Sequence, residues 1–103
     1  MDLGSRIDFH IHSIFSDGLL LPAALAYEAA ARGHSAIAIS DHVDASNLEE
    51  VLFGLTKFVK ALGDKLPIKV FPGVEISYLP PKLIEKYARK ARDLGAKVII
   101  VHG

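Results

Sequence analysis

The chain of 103 residues can enclose one hydrophobic core but is too short for two typical domains, so we expect a single folding unit. Twelve basic and twelve acidic residues cancel, which argues against an extended nucleic-acid surface or an electrostatic membrane anchor. The sequence has no cysteine, so thiolate catalysis and sulfur-ligated zinc are excluded, and any metal ligands must be nitrogen or oxygen atoms. No apolar run approaches the roughly 18 residues of a membrane span, and no leader pattern opens the chain, so we expect a cytoplasmic protein without membrane contact.

Four β-rich runs and three helical segments alternate along the chain. The β-rich runs cover residues 6–12, 35–40, 68–76 and 97–103. The first helical segment, residues 22–32, is rich in alanine and begins with Pro22, a residue that the first turn of a helix tolerates. Gly33 marks its predicted end.

The second and third helical segments are amphipathic. Between Leu48 and Leu62 the apolar residues recur with the i, i+3, i+4, i+7 rhythm of a helix, and Gly63 marks the predicted end. Ser46 and Glu49 have the spacing of a capping box, which predicts the start of this helix. Residues 80–95 repeat the design, with apolar side chains on one side, charged side chains opposite, and a glycine at the end.

This alternation predicts an α/β fold, a βαβαβαβ unit with a parallel sheet and right-handed crossovers. The runs 36–39 and 98–101 are apolar throughout, which is typical of parallel strands buried on both faces. The pattern fits either the start of a β/α barrel or a small open sheet covered by helices. A complete barrel usually needs about 250 residues.

Polar residues fall at the carboxyl ends of all four predicted strands. In parallel α/β folds these ends meet on one side of the sheet, and functional groups gather there. The residues at these ends, or in the loops just after them, are His10, His12, Asp17, Asp41, His42, Glu75 and His102.

The spacing of the first two histidines supports a metal site. Residues two apart on a strand point to the same side, so His10 and His12 can face one metal or two adjacent metals, while Ile11 points away. Imidazole nitrogens and carboxylate oxygens suit zinc, manganese and iron, and a carboxylate such as Glu75 can bridge two cations. Without Asp41, whose role is considered below, six such donors remain, which is more than one tetrahedral ion requires, so two or three metals are favoured over one.

A single histidine at a strand end is more often a structural residue, but the shared position of these histidines favours a site. His34 precedes a strand, so it belongs at the opposite end of the sheet and is expected to be structural or exposed. Three aspartates are expected in loops or at helix ends: Asp44, Asp64 and Asp93.

Two other aspartates have more than one interpretation. Asp8 lies inside the first strand and is either a buried hydrogen-bonding group or a partner of a metal ligand. Asp41 is either a direct ligand or a residue that orients His10 or His42.

These motifs resemble those of the PHP (polymerase and histidinol phosphatase) domain family over nearly the whole chain. The sequence "DFHIHSIFSDG" at 8–18 matches the family's opening motif, Asp-x-His-x-His-Thr-x-x-Ser-Asp-Gly, with Ser13 in place of threonine. "SDH" at 40–42 matches Thr-Asp-His, and "PGVEIS" supplies a glycine shortly before a glutamate. "VIIVHG" supplies a later histidine at a strand end.

The resemblance implies that residues 1–103 are the first half of a distorted barrel of seven strand-helix units, a partial PHP-type metal-dependent phosphoesterase domain. It implies that Glu75 bridges metals and that the ligand set is His10, His12, Asp17, His42, Glu75 and His102. Members generally need a further histidine and a late Asp-x-His motif, which these residues lack. We therefore expect that the chain is part of a longer protein or associates with another chain, such as a second copy, through its exposed sheet edge.

By the same resemblance, the predicted activity is phosphatase-type hydrolysis of a small phosphoester by water that two or three divalent ions (Zn, Mn or Fe) activate. Asp17, Asp41 and Glu75 are the residues assigned to catalysis. A nucleic-acid substrate is less favoured, because the chain is neutral overall and lacks a basic groove laced with aromatic residues. The competing hypothesis is a non-catalytic, metal-binding or structural half-domain that works beside another chain.

Overall fold

A computed structural model of the chain describes residues 6–102. Within these residues the predicted alternation of strands and helices is present, as β1 (Arg6–Ile11), α1 (Pro22–Ala31), β2 (His34–Val43), α2 (Leu48–Leu62), β3 (Lys69–Ser77), α3 (Pro81–Asp93) and β4 (Val98–His102). A short 3₁₀ turn, Gly63–Lys65, follows α2. None of the helices in this part of the chain is long and apolar enough to cross a membrane.

The four strands form one parallel sheet in the order β1-β2-β3-β4. The predicted parallel βαβαβαβ unit is therefore confirmed. Each strand lies beside its predecessor in the sequence, which is the order of a β/α barrel, whereas doubly wound open sheets change direction at a switch point. The strand order favours the barrel interpretation over the open sheet.

One apolar cluster joins the three helices to one face of the sheet. Its buried members come from all three helices, from β2 and β3, and from the segments that precede β3 and β4. They are Ala26, Ala29, Ile37, Ile39, Val43, Leu48, Val51, Leu52, Leu55, Ile68, Val70, Val74, Ile76, Ala91 and Ala96. The members on β2 and β3 lie two residues apart or a multiple of two, so their neighbours in sequence point to the other face. His42 and Glu75 are among these neighbours, which places them on the side away from the helices.

Strand β1 contains a bulge that sets the directions of its side chains. Asp8 pairs with Ile37 and Ile11 pairs with Ile39, so β1 has one more residue than β2 over this stretch. Asp8 and Ile11 consequently both line a cavity beside α1. The side chains of His10 and His12 face the other side of the sheet, as their contacts below show.

The glycines after α1 and α3 allow the chain to turn. The N–H of Arg32 donates to the carbonyl oxygens of Glu28 and Ala29, and Gly33 then has φ of +88°. Gly95, after α3, has φ of +109°. Both values lie in the left-handed region that glycine adopts at little cost, so these glycines end the helices as predicted.

The predicted capping box of α2 is wrong. The N–H and hydroxyl of Ser46 both donate to Asp44 Oδ1, over 2.7 and 2.5 Å, and the N-terminal cap is Asn47, without a side-chain capping bond. Asn47 instead accepts the N–H of Asp44 and donates to the carbonyl oxygen of His42. These local hydrogen bonds compete with capping because short polar side chains readily bind nearby backbone groups.

Strand β2 is longer than predicted. Its parallel pairing with β3 continues to Val43, opposite Ile76. Asp41 and His42 therefore belong to the strand itself and not to the loop after it. Their side chains point to opposite faces of the sheet for this reason.

Replacing Leu52 by alanine tests the importance of the apolar cluster. Leu52 is fully buried, so Leu52→Ala should lower the free energy of unfolding by about 2–5 kcal/mol, measured by urea denaturation. Phe53→Ala is the matched control, because Phe53 is the next residue and is 69% exposed. The control should change the free energy of unfolding by no more than about 0.5 kcal/mol. Equal effects of the two substitutions would contradict this packing.

Candidate metal centre

Glu75 lies at the centre of a group of histidines. Its side chain is 2% exposed, and its Oε1 atom lies 2.6 Å from His10 Nε2 and 2.8 Å from His12 Nε2. Its Oε2 atom lies 2.9 Å from His102 Nδ1. His42 Nδ1 is 3.7 Å from Oε1. Strands β1, β2 and β4 thus bring imidazole nitrogens to one buried carboxylate on β3.

A second group of donors surrounds Asp17, which lies in the loop between β1 and α1. Asp17 Oδ1 is 2.6 Å from His12 Nδ1, and Asp17 Oδ2 is 3.3 Å from His42 Nε2. The ring centroids of His12 and His42 are 4.3 Å apart. His12 connects the two groups, because one of its nitrogens faces Glu75 and the other faces Asp17.

The structure brings together all six residues that the sequence analysis proposed as metal ligands. Two sets of three donors, His10 with His12 and Glu75, and His12 with Asp17 and His42, each have ligand atoms within 4.8 Å of one another. Neutral imidazole and carboxylate are ligands that divalent transition metals accept, so the donors fit such an ion. The chain therefore has histidine and carboxylate groups that could hold a metal.

The charges of both carboxylates favour a cation. Burial raises the pKa of Glu75, but hydrogen bonds with His10 and His12 and electrostatic attraction to His42 outweigh burial and hold this pKa below its usual value. Desolvation likewise raises the pKa of Asp17, and its hydrogen bond and electrostatic attraction to His12 lower the pKa by more. Both side chains are therefore negatively charged at neutral pH.

Asp41 lies in a different environment. Its fully buried carboxylate accepts hydrogen bonds of 2.6 Å from the N–H and hydroxyl of Ser13 and from the hydroxyl of Ser16. Asp41 thus fixes the start of the loop that carries Asp17. The assignment of Asp41 to catalysis stays a prediction, and the contacts observed are with the loop.

Gly18 lets this loop return to β1. Its N–H donates to the carbonyl oxygen of Ser13, and a Cβ atom at position 18 would lie 2.2 Å from the carbonyl oxygen of His12. Only glycine fits this approach without displacing the backbone. The "SDG" sequence therefore has a structural explanation, with Asp17 in the site and Gly18 in the turn.

Ser77 is a site residue that the sequence analysis did not identify. Its buried hydroxyl lies 2.8 Å from His42 Nδ1 and donates over 3.5 Å to the carbonyl oxygen of Glu75. The hydroxyl oxygen can therefore accept the proton of Nδ1, which leaves His42 Nε2 facing Asp17. A signal was available, because Ser77 lies two residues after Glu75 on the same strand and so on the same face.

The other aspartates and the histidine that the sequence analysis placed away from the ligand set, with Asp8, lie outside the two donor groups. His34 begins β2, at the opposite end of that strand from His42, and Asp64 and Asp93 lie in the 3₁₀ turn and at the end of α3. Asp44 lies in the loop after β2, where Ser46 binds it. Asp8 accepts the backbone N–H of His10, and this is a contact with the backbone of a proposed ligand and not with its ring.

Substitution of Ser77 tests its role in orienting His42. Ser77→Ala removes the hydroxyl at His42 Nδ1, so we expect the affinity for zinc or manganese to fall about 10- to 100-fold, measured by competition with a chelating dye. Ser46→Ala is the control, because the N–H and hydroxyl of Ser46 both donate to Asp44, which is not a proposed ligand. Unchanged affinity in Ser77→Ala would contradict the orienting role.

Substitution of Asp41 separates its two interpretations. Asp41→Asn replaces one acceptor oxygen by an amide donor that faces serine donors, so we expect the free energy of unfolding to fall by about 1–3 kcal/mol. Asp64→Asn, on an exposed aspartate, should have little effect. If Asp41→Asn abolished metal binding and left the free energy of unfolding unchanged, Asp41 would be a direct ligand and not the anchor of the loop.

Known proteins resemble this chain in sequence. The family model of the PHP domain matches residues 8–101. An uncharacterized protein of Methanocaldococcus jannaschii is 46% identical over 101 residues, which cover 95% of this chain and 45% of that protein. A 5′-3′ exoribonuclease of Haemophilus influenzae is 32% identical over 72 residues, which cover 70% of this chain and 23% of the exoribonuclease. The chain thus spans less than half the length of either relative.

The fold also resembles a solved structure, that of histidinol phosphate phosphatase from Lactococcus lactis complexed with zinc, L-histidinol and phosphate. The two match with a TM-score of 0.70 and 24% identity, over 94% of this chain and 39% of the phosphatase. This likeness confirms the predicted fold, because the four parallel strands and their helices form a curled half-barrel like the first half of a PHP barrel. With the family model matching residues 8–101, the chain belongs to the PHP domain family.

Proposed function

We propose that this chain is part of a metal-dependent phosphoesterase that hydrolyses a small phosphoester with activated water. The observation that carries the proposal is the buried carboxylate of Glu75, with nitrogens of His10, His12 and His102 at 2.6 to 2.9 Å. Such a cluster at the carboxyl ends of parallel strands is where barrel enzymes bind substrates. Membership of the PHP family and the fold of the histidinol phosphatase support the same chemistry.

The proposed ligands are His10, His12, Asp17, His42, Glu75 and His102, which would hold two or three ions of zinc, manganese or iron. When bound, such ions supply positive charge to phosphate oxygens and make water a better nucleophile near neutral pH. We propose Glu75 as the bridging ligand, because both of its oxygens face imidazole nitrogens. The zinc in the phosphatase structure supports zinc as one of the candidate ions.

The protein groups would contribute charge and position. Glu75 and Asp17 are ionised, so they can bind cations without first losing a proton at neutral pH. Asp41 holds the loop on which Asp17 lies, and Ser77 orients His42. In this proposal Asp41 contributes to catalysis by keeping Asp17 in place.

We further propose that residues 1–103 form a partial domain, which needs additional ligands for full activity. The chain spans 45% of the archaeal relative and 39% of the phosphatase. The additional ligands would come from further residues of a longer protein, or from another chain that associates through the edge of the sheet. A cytoplasmic location stays a prediction.

A second candidate substrate is the phosphodiester of an RNA. The similarity to a 5′-3′ exoribonuclease, 32% identical over 72 residues, favours this substrate. The balanced charge of the chain favours a small molecule instead. Comparing the hydrolysis of 4-nitrophenyl phosphate, histidinol phosphate and a short RNA would rank the candidates.

Substitution of Glu75 tests the proposed function. We expect Glu75→Gln to lower the metal content per chain, and to lower the manganese-dependent hydrolysis of 4-nitrophenyl phosphate about 10- to 100-fold, because it removes the proposed bridging charge. Glu85→Gln is the control, since Glu85 lies on α3 and is 77% exposed. The control should keep the metal content and the rate of the unmodified chain.

Two results would contradict the proposal. Metal binding that survives in Glu75→Gln would show that the ions do not bind at this cluster. Stoichiometric metal without hydrolysis of any of the three substrates would favour the non-catalytic half-domain. Light scattering on the same samples measures whether the active or inactive particle contains more than one chain.

A further inference from the structure

The outer face of α2 carries an exposed aromatic side chain. Phe53 is 69% exposed, whereas its neighbour Leu52 is fully buried in the apolar cluster. Phe53 therefore stands on the side of α2 that faces away from the sheet and from the proposed metal centre. A single exposed ring is ordinary on a protein surface, so its meaning depends on what surrounds it.

Phe53 lies between two cavities on this face. The first, of about 430 Å³, lies between α2 and the end of α3 and is lined by Glu49, Glu50, Phe53, Thr56 and Leu94. The second, of about 390 Å³, is lined by Phe53, Thr56, Lys57, Lys60 and Ala61. The ring is thus a projection with a concave surface on each side, the shape by which side chains of one helix pack into the holes of another.

The two cavities carry opposite charges. Both glutamates line the first cavity, and both lysines line the second. Glu49 is paired with Lys90 of α3 over 2.6 Å. Glu50, Lys57 and Lys60 form no ion pair within the part of the chain that the structure describes, so their charges are available to a partner. The face therefore has an acidic half, an aromatic centre and a basic half.

The spacing of these charges makes the face complementary to itself. Glu50 lies three residues before Phe53 and Lys57 lies four residues after it, which is roughly 5 Å along the helix axis in each direction. Seven residues make nearly two turns, so both charges lie on the same side of the ring. A twofold axis near Phe53 would therefore bring Glu50 of each chain opposite Lys57 of the partner subunit, with the two Phe53 rings side by side.

We propose that the outer face of α2 is a dimerisation surface and that its partner is a second copy of this chain, packed antiparallel with α2 against α2. A different protein would have to present the reverse order of charges around an apolar centre, whereas a second copy supplies this order by symmetry. The surface lies on the helix side of the sheet. This dimer is therefore distinct from an association through the edge of the sheet, and it leaves the donor groups uncovered.

Sedimentation equilibrium at chain concentrations from about 1 to 500 µM tests the dimer. The face is small, so we expect a reversible monomer–dimer equilibrium with a Kd of roughly 10–100 µM. Phe53→Ala should raise the Kd more than about 10-fold, because it removes the aromatic centre of the contact. Tyr27→Ala is the matched control, since Tyr27 is also an exposed aromatic residue but lies on α1, and it should leave the Kd unchanged.

Dilution separates dimerisation from folding. At about 1 µM the unmodified chain would be a monomer, so its free energy of unfolding and that of Phe53→Ala should agree there. A loss of the dimer in Phe53→Ala with this agreement would show that the ring acts between chains and not within one.

Exchange of the two charges tests the antiparallel pairing. Glu50→Lys or Lys57→Glu alone places like charges opposite each other twice in the dimer, so each should raise the Kd roughly 5- to 30-fold at low salt. The double variant, with both substitutions, restores opposite charges and should return the Kd to within about threefold of the unmodified value. Residues that acted only within their own chain would show no such recovery.

Three results would overturn the inference. A chain that stays monomeric at about 500 µM would leave the face to solvent or to a different protein. A dimer whose Kd is unchanged in Phe53→Ala would indicate another surface, such as the edge of the sheet. Failure of the double variant to recover the dimer would exclude the antiparallel pairing of α2 with α2.

Discussion

The burial of a negative charge at Glu75 is the constraint on which this structure depends. A buried carboxylate without partners is strongly unfavourable, and its cost must be offset by hydrogen bonds and opposite charge or by a cation. Strand β3 has a neighbour on each side, so its carboxylate can reach histidines from β1 and β2 in one direction and from β4 in the other. The donor cluster therefore depends on this strand order, which places β3 between the strands that carry the histidines.

Adjacent residues of β2 serve this arrangement from opposite faces. Asp41 points toward the helix side and anchors Ser13 and Ser16, whereas His42 points toward the cluster. The anchored loop then returns Asp17 to the face on which His42 lies. One strand thus both supplies a donor and fixes the loop that carries another, through the simple alternation of side chains.

The sequence was sufficient to predict the alternating strands and helices, because the apolar periodicities and the glycines at helix ends are local properties. It also predicted which polar residues meet, because the carboxyl ends of parallel strands lie on one side. The partners of Asp41 could not be predicted, since they depend on how the loop 13–18 folds over β2. The capping box failed because Ser46 and Asn47 had other hydrogen-bonding groups within reach, and sequence spacing does not show this competition.

Tyr78, the residue after β3, illustrates a different limit of sequence patterns. Its residue type is ordinary after a strand, and only its φ angle of +59° distinguishes it from any exposed tyrosine. Ser77, directly before it, faces inward and was detectable by alternation. The two neighbours show that strand periodicity identifies inward-facing residues well and turn residues poorly.

The bulge in β1 has a consequence for how this strand can change. The extra residue between Asp8 and Ile11 lets both of these side chains face α1 while His10 and His12 remain on the face of Glu75. Deleting one residue between Asp8 and His10 would reverse the direction of the histidines relative to the residues before them. Insertions and deletions in this short strand are therefore coupled to the donor cluster.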